Sequence, residues 1–380
     1  MFKSISLVIT VTIFGSVVWA NRLFEPNSPL VKQAAIAVRR QLGLSNQTPI
    51  KVVIVGGSKG IGRGFAEFSL AMGSEVLIVS RENAPRTASE LQKDYQNIGA
   101  ISAYTADFSD LSDVARFETE QAAFLQEAHI VISSAGTIVR DDAPSDQVAA
   151  ARTIKSQATV LFHKHMAEIF KKRKPESGAL YKGIILPVSS MSGLFEFPEP
   201  YATFYQTSAD LIASAQDLHR ASGGSILSVA IAHGLTDTDV LKRDARIPSV
   251  AIRRWGDTVK SLISDVATKL FLSSAFQQAT VPDNVLIPGN PFNLKLWGAF
   301  LTAKTLLPRE QREAWYKSMF VLADQYKGSS DELIQIQMAS LEAMLDAQSN
   351  IGTILDNPLG RLGCSAAVGA TKFFSKIWGK

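Results

Sequence analysis

The sequence predicts an α/β protein built on a doubly wound parallel sheet of about seven strands, preceded by an apolar segment and followed by a helical extension. Two observations predict it. Short apolar, β-branched runs alternate with helix-length segments from residue 51 to about residue 290, the spacing at which right-handed helical crossovers join parallel strands. The first of these runs leads straight into Gly56-Gly57-Ser58-Lys59-Gly60-Ile61-Gly62 and then a helical stretch, an arrangement in which a glycine-rich turn holds phosphate at a helix N-terminus. With 46% hydrophobic and 19% charged residues, the chain has enough apolar mass for a sizeable core. A disordered or collagen-like chain is excluded.

At the N-terminus, Ser4 to Asn21 carries no charge and Ile5 to Ala20 is mostly large and apolar, near the lower limit of what spans a bilayer. Lys3 precedes this run, whereas Arg22, Lys32, Arg39 and Arg40 follow it. Positive charge is retained on the cytoplasmic side, so the favoured reading is an uncleaved anchor with the main domain facing the cytosol. A membrane of the endoplasmic reticulum is its expected place. A secretory signal cleaved near Val18-Trp19-Ala20 and a buried core helix are the alternatives. Pro29 to Leu44 then places Val31, Ala34, Ala35, Val38 and Leu42 on a helical period, with proline in the first turn, where its missing N–H does no harm.

Lys51–Val55, Val76–Val79, Ile101–Tyr104, Ile130–Ser133, Gly183–Val188, Ile226–Ala230 and Val285–Ile287 read as the strands, apolar enough to be buried on both faces. After about residue 290 strand signals stop. Trp315–Tyr326 and Asp331–Asp346 read as amphipathic helices separated by Gly328-Ser329-Ser330. Arg361 to Lys380 combines Phe373, Phe374 and Trp378 with Lys372, Lys376 and Lys380, which suits either a lipid interface or docking on the protein itself. The expected division is an anchor or signal over 1–25, a linker helix over 26–48, the sheet domain over 49–290 and a helical extension over 291–380.

Several function classes drop out. The net charge is +4 and the densest basic patch is Lys171-Lys172-Arg173-Lys174, too little for a nucleic-acid surface. Cys364 is the single cysteine, so there is no intrachain disulfide and no CxxC metal site. The five histidines are scattered without zinc spacing, and His163 and His165 read as residues on a helix surface. Ser189 lacks the Gly-x-Ser-x-Gly elbow of a hydrolase.

What remains is dinucleotide chemistry. Gly56 permits the tight turn after a strand, Gly60 lets a pyrophosphate approach the backbone, and Gly62 lets the helix pack closely. Ser58, Lys59 and Ile61 complete the expected binding loop. The second strand ends at Val79-Ser80-Arg81. An acid at that place accepts from ribose hydroxyls, whereas arginine pairs with a 2′-phosphate. Arg81, with Lys59 and Arg63 nearby, makes NADPH the expected cofactor.

These features resemble the short-chain dehydrogenase/reductase family, whose fold is a Rossmann sheet, across roughly residues 49–290. Asp107-Phe108-Ser109 matches the acid after the third strand, which touches adenine in the family. Ser133-Ser134-Ala135-Gly136 stands where Asn-x-Ala-Gly is usual, so Ser133, Ala135 and Gly136 are expected at the cofactor. Pro187 to Gly193 resembles the segment of the catalytic serine and puts Ser190 in its place. Tyr205-Gln206-Thr207-Ser208-Ala209 falls where the family has Tyr-x-x-x-Lys. His233-Gly234-Leu235-Thr236-Asp237-Thr238 resembles Pro-Gly-x-x-x-Thr, so Thr238 is expected at the nicotinamide carboxamide. Within the family, the apolar N-terminus, the Gly-Gly-Ser-x-Gly-Ile-Gly loop, the arginine and the extra C-terminal helices look most like 3-ketodihydrosphingosine reductases.

The resemblance implies a tyrosine that passes a proton, a serine that orients the carbonyl, and a lysine that lowers the tyrosine pKa from its usual value near ~10. Ser190 and Tyr205 are present, with Tyr201 as a competing tyrosine. The lysine is not: residue 209 is alanine and no Tyr-x-x-x-Lys occurs in the chain. Lys155 stands where the family's active-site asparagine is expected, within one residue. Two expectations follow for it: a solvent-facing helix residue, or a cation reaching into the space beside residue 209. The functional expectation is a membrane-anchored, NADPH-dependent reductase of an apolar ketone, with a 3-ketosphinganine-like lipid as the substrate the resemblance implies. The alternative is an inactive family member, serving as a nucleotide-binding scaffold or as a subunit of a membrane complex. A homo-oligomer is a further expectation.

Overall fold

The strands are β1 (Lys51–Val55), β2 (Glu75–Ser80), β3 (Ala100–Thr105), β4 (Ile130–Ser133), β5 (Gly183–Ser190), β6 (Ile226–Ser228), β7 (Ala230–His233) and β8 (Val285–Leu286). All pairings are parallel. The order across the sheet is β3-β2-β1-β4-β5-β7-β8, with β6 also on β5. The chain thus winds outward in opposite directions from β1 and β4, which creates a crevice at their carboxyl ends. The computed structural model describes residues 22–175, 177–194, 201–234, 236–239, 257–273 and 284–288. These belong to one unit, formed by residues 1–244 and 256–289. The apolar run over 1–20 and the extension over 291–380 lie outside the described residues. Among the described residues, no helix is long and apolar enough to cross a membrane.

The helices are α1 (Pro29–Leu42), α2 (Gly60–Ala71), α3 (Ala84–Asp94), α4 (Leu111–Glu120), α5 (Ala122–Glu127), α6 (Ser145–Arg152), α7 (Thr159–Lys172), α8 (Ala202–Ala221) and α9 (Val259–Val266). Strand side chains alternate between the two sides of the sheet. Val52, Ile54, Val76, Ile78, Ile184 and Leu186 join the core formed with α1, α2, α3 and α9. Val53, Val55, Leu77, Val79, Val131 and Ile185 join the opposite core, with Val114 and Phe117 of α4 and Phe162 and Met166 of α7. Both faces are covered, which is why these strands are continuously apolar rather than alternating.

One expected strand is divided. The run from Ile226 is interrupted at Val229, between β6 and β7. Its register on β5 continues from Ile185↔Ser228 to Val188↔Ile231, which sets Val229 opposite Leu186; its N–H donates to Ile185 O, and its carbonyl faces the nitrogen of Pro187. Proline has no N–H to donate to the ladder. Taken as one interrupted strand, β6 and β7 leave seven positions in the sheet, the expected number.

Ahead of the sheet, Ser28 caps α1 by accepting from the Val31 N–H at 3.4 Å, and Gly43 closes the helix at φ +69°, a conformation that suits glycine. Val31, Ala34 and Val38 are buried in the first core. The backbone N–H of Leu23 donates to Glu67 of α2 at 3.0 Å, and that of Phe24 donates to the Tyr95 hydroxyl at 3.3 Å. The stretch entering α1 is therefore fastened to the sheet domain.

Candidate active site

The glycine loop occupies the crevice. Gly56, directly after β1, has φ +79°, and a Cβ there would lie 2.5 Å from the Ala135 nitrogen in the turn after β4. Its N–H donates to Val79 O at 2.7 Å, and Ser134 N–H donates to Val55 O at 2.7 Å. These bonds draw together the ends of β1, β2 and β4. A Cβ on Gly62 would sit 2.2 Å from Gly56 O, so α2 packs on the loop more closely than any larger residue permits. Gly60 has φ +53° and opens α2. Thr238 lies beside it, 3.5 Å from where a Cβ would stand. Lys59, the N-cap of α2, makes no side-chain cap hydrogen bond, leaving first-turn N–H groups to an anion. Ser58 is buried, and its carbonyl accepts from Thr87 at 3.2 Å, which pins the loop to α3. Backbone N–H groups at a helix N-terminus, with glycine where a Cβ would intrude, fit the pyrophosphate of a dinucleotide.

Around the loop the expected residues divide. The Arg81 side chain is 63% exposed and lies 3.7 Å from Asp107, so both stand at the rim beyond β2 and β3. Asp107 is organised by its own turn, accepting from Ser109 N–H at 2.8 Å and from the Ser109 hydroxyl at 2.7 Å. Phe108 and Ile61 turn their side chains inward. Both side chains are buried in the apolar cores, Phe108 edge-on to Phe162 at 5.9 Å, so only their backbone could meet a cofactor. The Ser133 hydroxyl is likewise buried and engaged by His163 Nε2 at 2.8 Å. His163 is itself not a surface residue. It is 0% exposed, and burial lowers its pKa to about 3. His165 is exposed, as expected.

The end that carries Ser190 and Tyr205 is assembled by β5 and α8. Ser189 donates to Ser208 O at 2.8 Å, and a Cβ on Gly193 would stand 2.7 Å from the Ser208 carbonyl carbon. The turn carrying Ser190 therefore packs on α8 one turn beyond Tyr205. Ser190 Oγ accepts from the Ser192 N–H at 3.2 Å. The first turn of α8 is held from a distance: Asp141 accepts from the backbone N–H of Ala202 at 2.8 Å and of Thr203 at 3.0 Å, and Arg152 donates to the Thr203 hydroxyl at 3.0 Å. Asp141 has no sequence signal, because it caps a helix that begins some 60 residues later.

Lys155 does not face solvent. It lies in a π-helical turn, Thr153–Ala158, joining α6 to α7, and is 7% exposed. Its ammonium sits 3.5 Å from Ser208 Oγ and 4.3 Å from the centroid of the Phe204 ring. Its stem fills the space against Gly136, where a Cβ would be 2.6 Å from Lys155 Cε. Burial lowers its pKa to about 8. At the end of β7, His233 is lowered to about 4, chiefly by burial, and the Lys155 charge acts in the same direction.

The short chain dehydrogenase family model matches residues 51–246. Among solved structures, the chain is similar to a short-chain dehydrogenase from Sphingobium yanoikuyae in complex with NADPH, at 22% identity and TM-score 0.53, covering 67% of this chain and 93% of that one. It is similar to an NADPH-dependent 3-quinuclidinone reductase from Rhodotorula rubra, at 19% identity and TM-score 0.54, over 68% of this chain and 95% of that one. A 7beta-hydroxysteroid dehydrogenase is similar at 17% identity and TM-score 0.58, over 74% and 99%. At these identities the likenesses show the fold. No curated protein matches the chain. The family match spans the glycine loop, both candidate catalytic residues and the Lys155 turn, and on that ground the chain belongs to the short-chain dehydrogenase family of NAD(P)-dependent oxidoreductases.

Proposed function

We propose that this protein is an NADPH-dependent reductase of an apolar ketone, working at a membrane on a lipid of the 3-ketosphinganine kind. The observation that carries the choice of cofactor is Arg81, exposed just beyond the end of β2, where its guanidinium stands 3.5 Å from Glu82 and 3.7 Å from Asp107. A guanidinium there pairs with a 2′-phosphate, where an acid would repel it. Two of the similar solved structures are described with NADPH, and one is named for reducing a ketone; this supports the reading. The lipid substrate rests on the uncharged run from Ser4 to Asn21 and on the likeness of the loop and extensions to 3-ketodihydrosphingosine reductases.

Gly56, Ser58, Lys59, Gly60 and Gly62, with the backbone of Ile61, would hold the pyrophosphate. Asp107 and the backbone of Phe108 would border the adenine, Ala135 and Gly136 would line the inner cleft, and Thr238 would close it. When bound, the nicotinamide supplies the hydride. Tyr205 donates the proton to the carbonyl oxygen, and Ser190 holds that oxygen in place. A second reading, a nucleotide-binding scaffold without turnover, is favoured by Ala209, which places no cation on α8 one turn beyond Tyr205.

NADPH oxidation with 3-ketosphinganine, followed for the full chain in lipid vesicles beside Tyr205→Phe, separates the two. The reductase reading expects turnover that falls about 100-fold or more in the variant, with NADPH binding retained. Equal, negligible rates from two proteins that both bind NADPH would establish the scaffold instead.

A further inference from the structure

We infer that Lys155, carried by the π-turn between α6 and α7, is the cofactor-facing cation of the cleft, and that its ammonium gains its oxygen acceptors from the bound dinucleotide. The inference rests on the cleft being an NADPH site. An ammonium has three donors, and burying it costs several kcal/mol unless it is paired. Among the described residues Lys155 has one long hydrogen bond, to Ser208 Oγ at 3.5 Å, and the face of Phe204. The Ser208 hydroxyl already donates to Phe204 O at 2.8 Å, so it can only accept. Among the described residues no carboxylate forms an ion pair with Lys155, and desolvation alone shifts its pKa.

Such a cation is not there to stabilise the free fold. Its position is specific: the stem runs over Gly136, in the turn that abuts Gly56 of the phosphate loop. Glycine at 136 is what admits the Lys155 stem at this depth. The π-turn adds a residue to the helical ladder, and such turns recur at functional sites because they re-aim a side chain. Here they aim the lysine at the helix of Tyr205, next to the position where alanine replaces a lysine on α8.

Among the described residues, the titratable group that Lys155 acts on is His233 on β7, while His163 and Arg152 lie on the same helical run. Burial holds His233 and His163 neutral above pH 6, with pKa values of about 4 and about 3. Asp257 acts on His233, and its side chain accepts from Ser261 at 2.9 Å. Neither histidine changes charge above pH 8, so a proton taken up there by the wild type and not by Lys155→Met is that of Lys155. The 2′-phosphate, with a pKa of about 6, is fully ionised there.

Dinucleotide oxygens favour the charged ammonium, so binding raises the Lys155 pKa. Affinity is then constant below pH 8 and falls as pH rises above it, and NADPH binding above pH 8 takes up a proton. The test is calorimetric titration of the full chain with NADPH at pH 9, in two buffers of different ionisation enthalpy, repeated from pH 7 to 10 and with Lys155→Met. Expected for the wild type is uptake of a substantial fraction of one proton and an affinity loss of about tenfold by pH 10. Lys155→Met shows neither. NADPH binding without proton uptake, with the same pH profile in both proteins, overturns the role of Lys155 and leaves the NADPH site standing. Absence of binding in both overturns the site and the inference together. The wild-type proton count stands whether or not the variant folds, and circular dichroism checks that it does.

Discussion

Lys155 and His163 lie on the buried side of one continuous helical run, and burial works on them in the same direction: it disfavours the charged form and lowers the pKa. For His163 the folded value of about 3 lies below the unfolded value near 6.5. The unfolded chain binds more protons between those limits, so stability is lost as pH falls through that window. His129 behaves likewise, at about 4 and mainly through burial; its Nδ1 accepts from the Lys51 N–H at 2.9 Å and is already engaged as a neutral ring nitrogen. Between pH 7 and 4.5, thermal unfolding of the wild type is expected to show a steep fall in stability. His163→Gln should lose less over the same interval, by about 2 kcal/mol; parallel losses would contradict the assignment. The burial of both residues was partly legible. Ala151, Lys155, Ala158, Phe162 and Met166 follow a helical period, so Lys155 belonged on the apolar face all along. The same period puts His163 beside Thr159, Met166 and Phe170. What the sequence could not display is the partner, Ser133, from a strand 30 residues away.

At the scale of elements, the strands were the most legible part, because a parallel sheet covered on both sides leaves near-continuous apolar runs. The interruption at Val229 was not legible, since it depends on Pro187 in the neighbouring strand rather than on the run itself. The fastening of α8 was equally hidden. Asp141 caps its N-terminus from the loop after β4, and Arg152 adds a bond to Thr203, two residues before Tyr205. A helix whose first N–H groups are satisfied by a carboxylate typically loses about 1 kcal/mol when that carboxylate is removed. Asp141→Ala is therefore expected to lower stability by about that amount. Because the cap sets the position of the Tyr205 helix, kcat should drop more than KM rises. A rise in KM alone, with kcat intact, would show that Asp141 does not position the tyrosine.

Across the whole molecule, function follows from where the winding of the chain reverses. The ends of β1 and β4 meet at Gly56 and Ala135, with the loop open toward the start of α2 and Arg81 at its rim. The glycines were legible because each is demanded by local backbone geometry. The side-chain placement of Phe108, Ile61 and Ser133 was not legible, for the opposite reason. They sit inside a motif, and whether a motif residue points at ligand or core is decided by packing. On the proposed function, this crevice binds a pyridine dinucleotide and selects the phosphorylated form through Arg81. Calorimetric titration of the full chain with NADPH and with NADH, alongside Arg81→Ala, tests it most directly. The expected result is saturable one-to-one NADPH binding, tighter than that of NADH, and weakened about tenfold or more in the variant while NADH is unaffected. No heat with either coenzyme, or an Arg81→Ala protein that binds NADPH as tightly as the wild type, would contradict it.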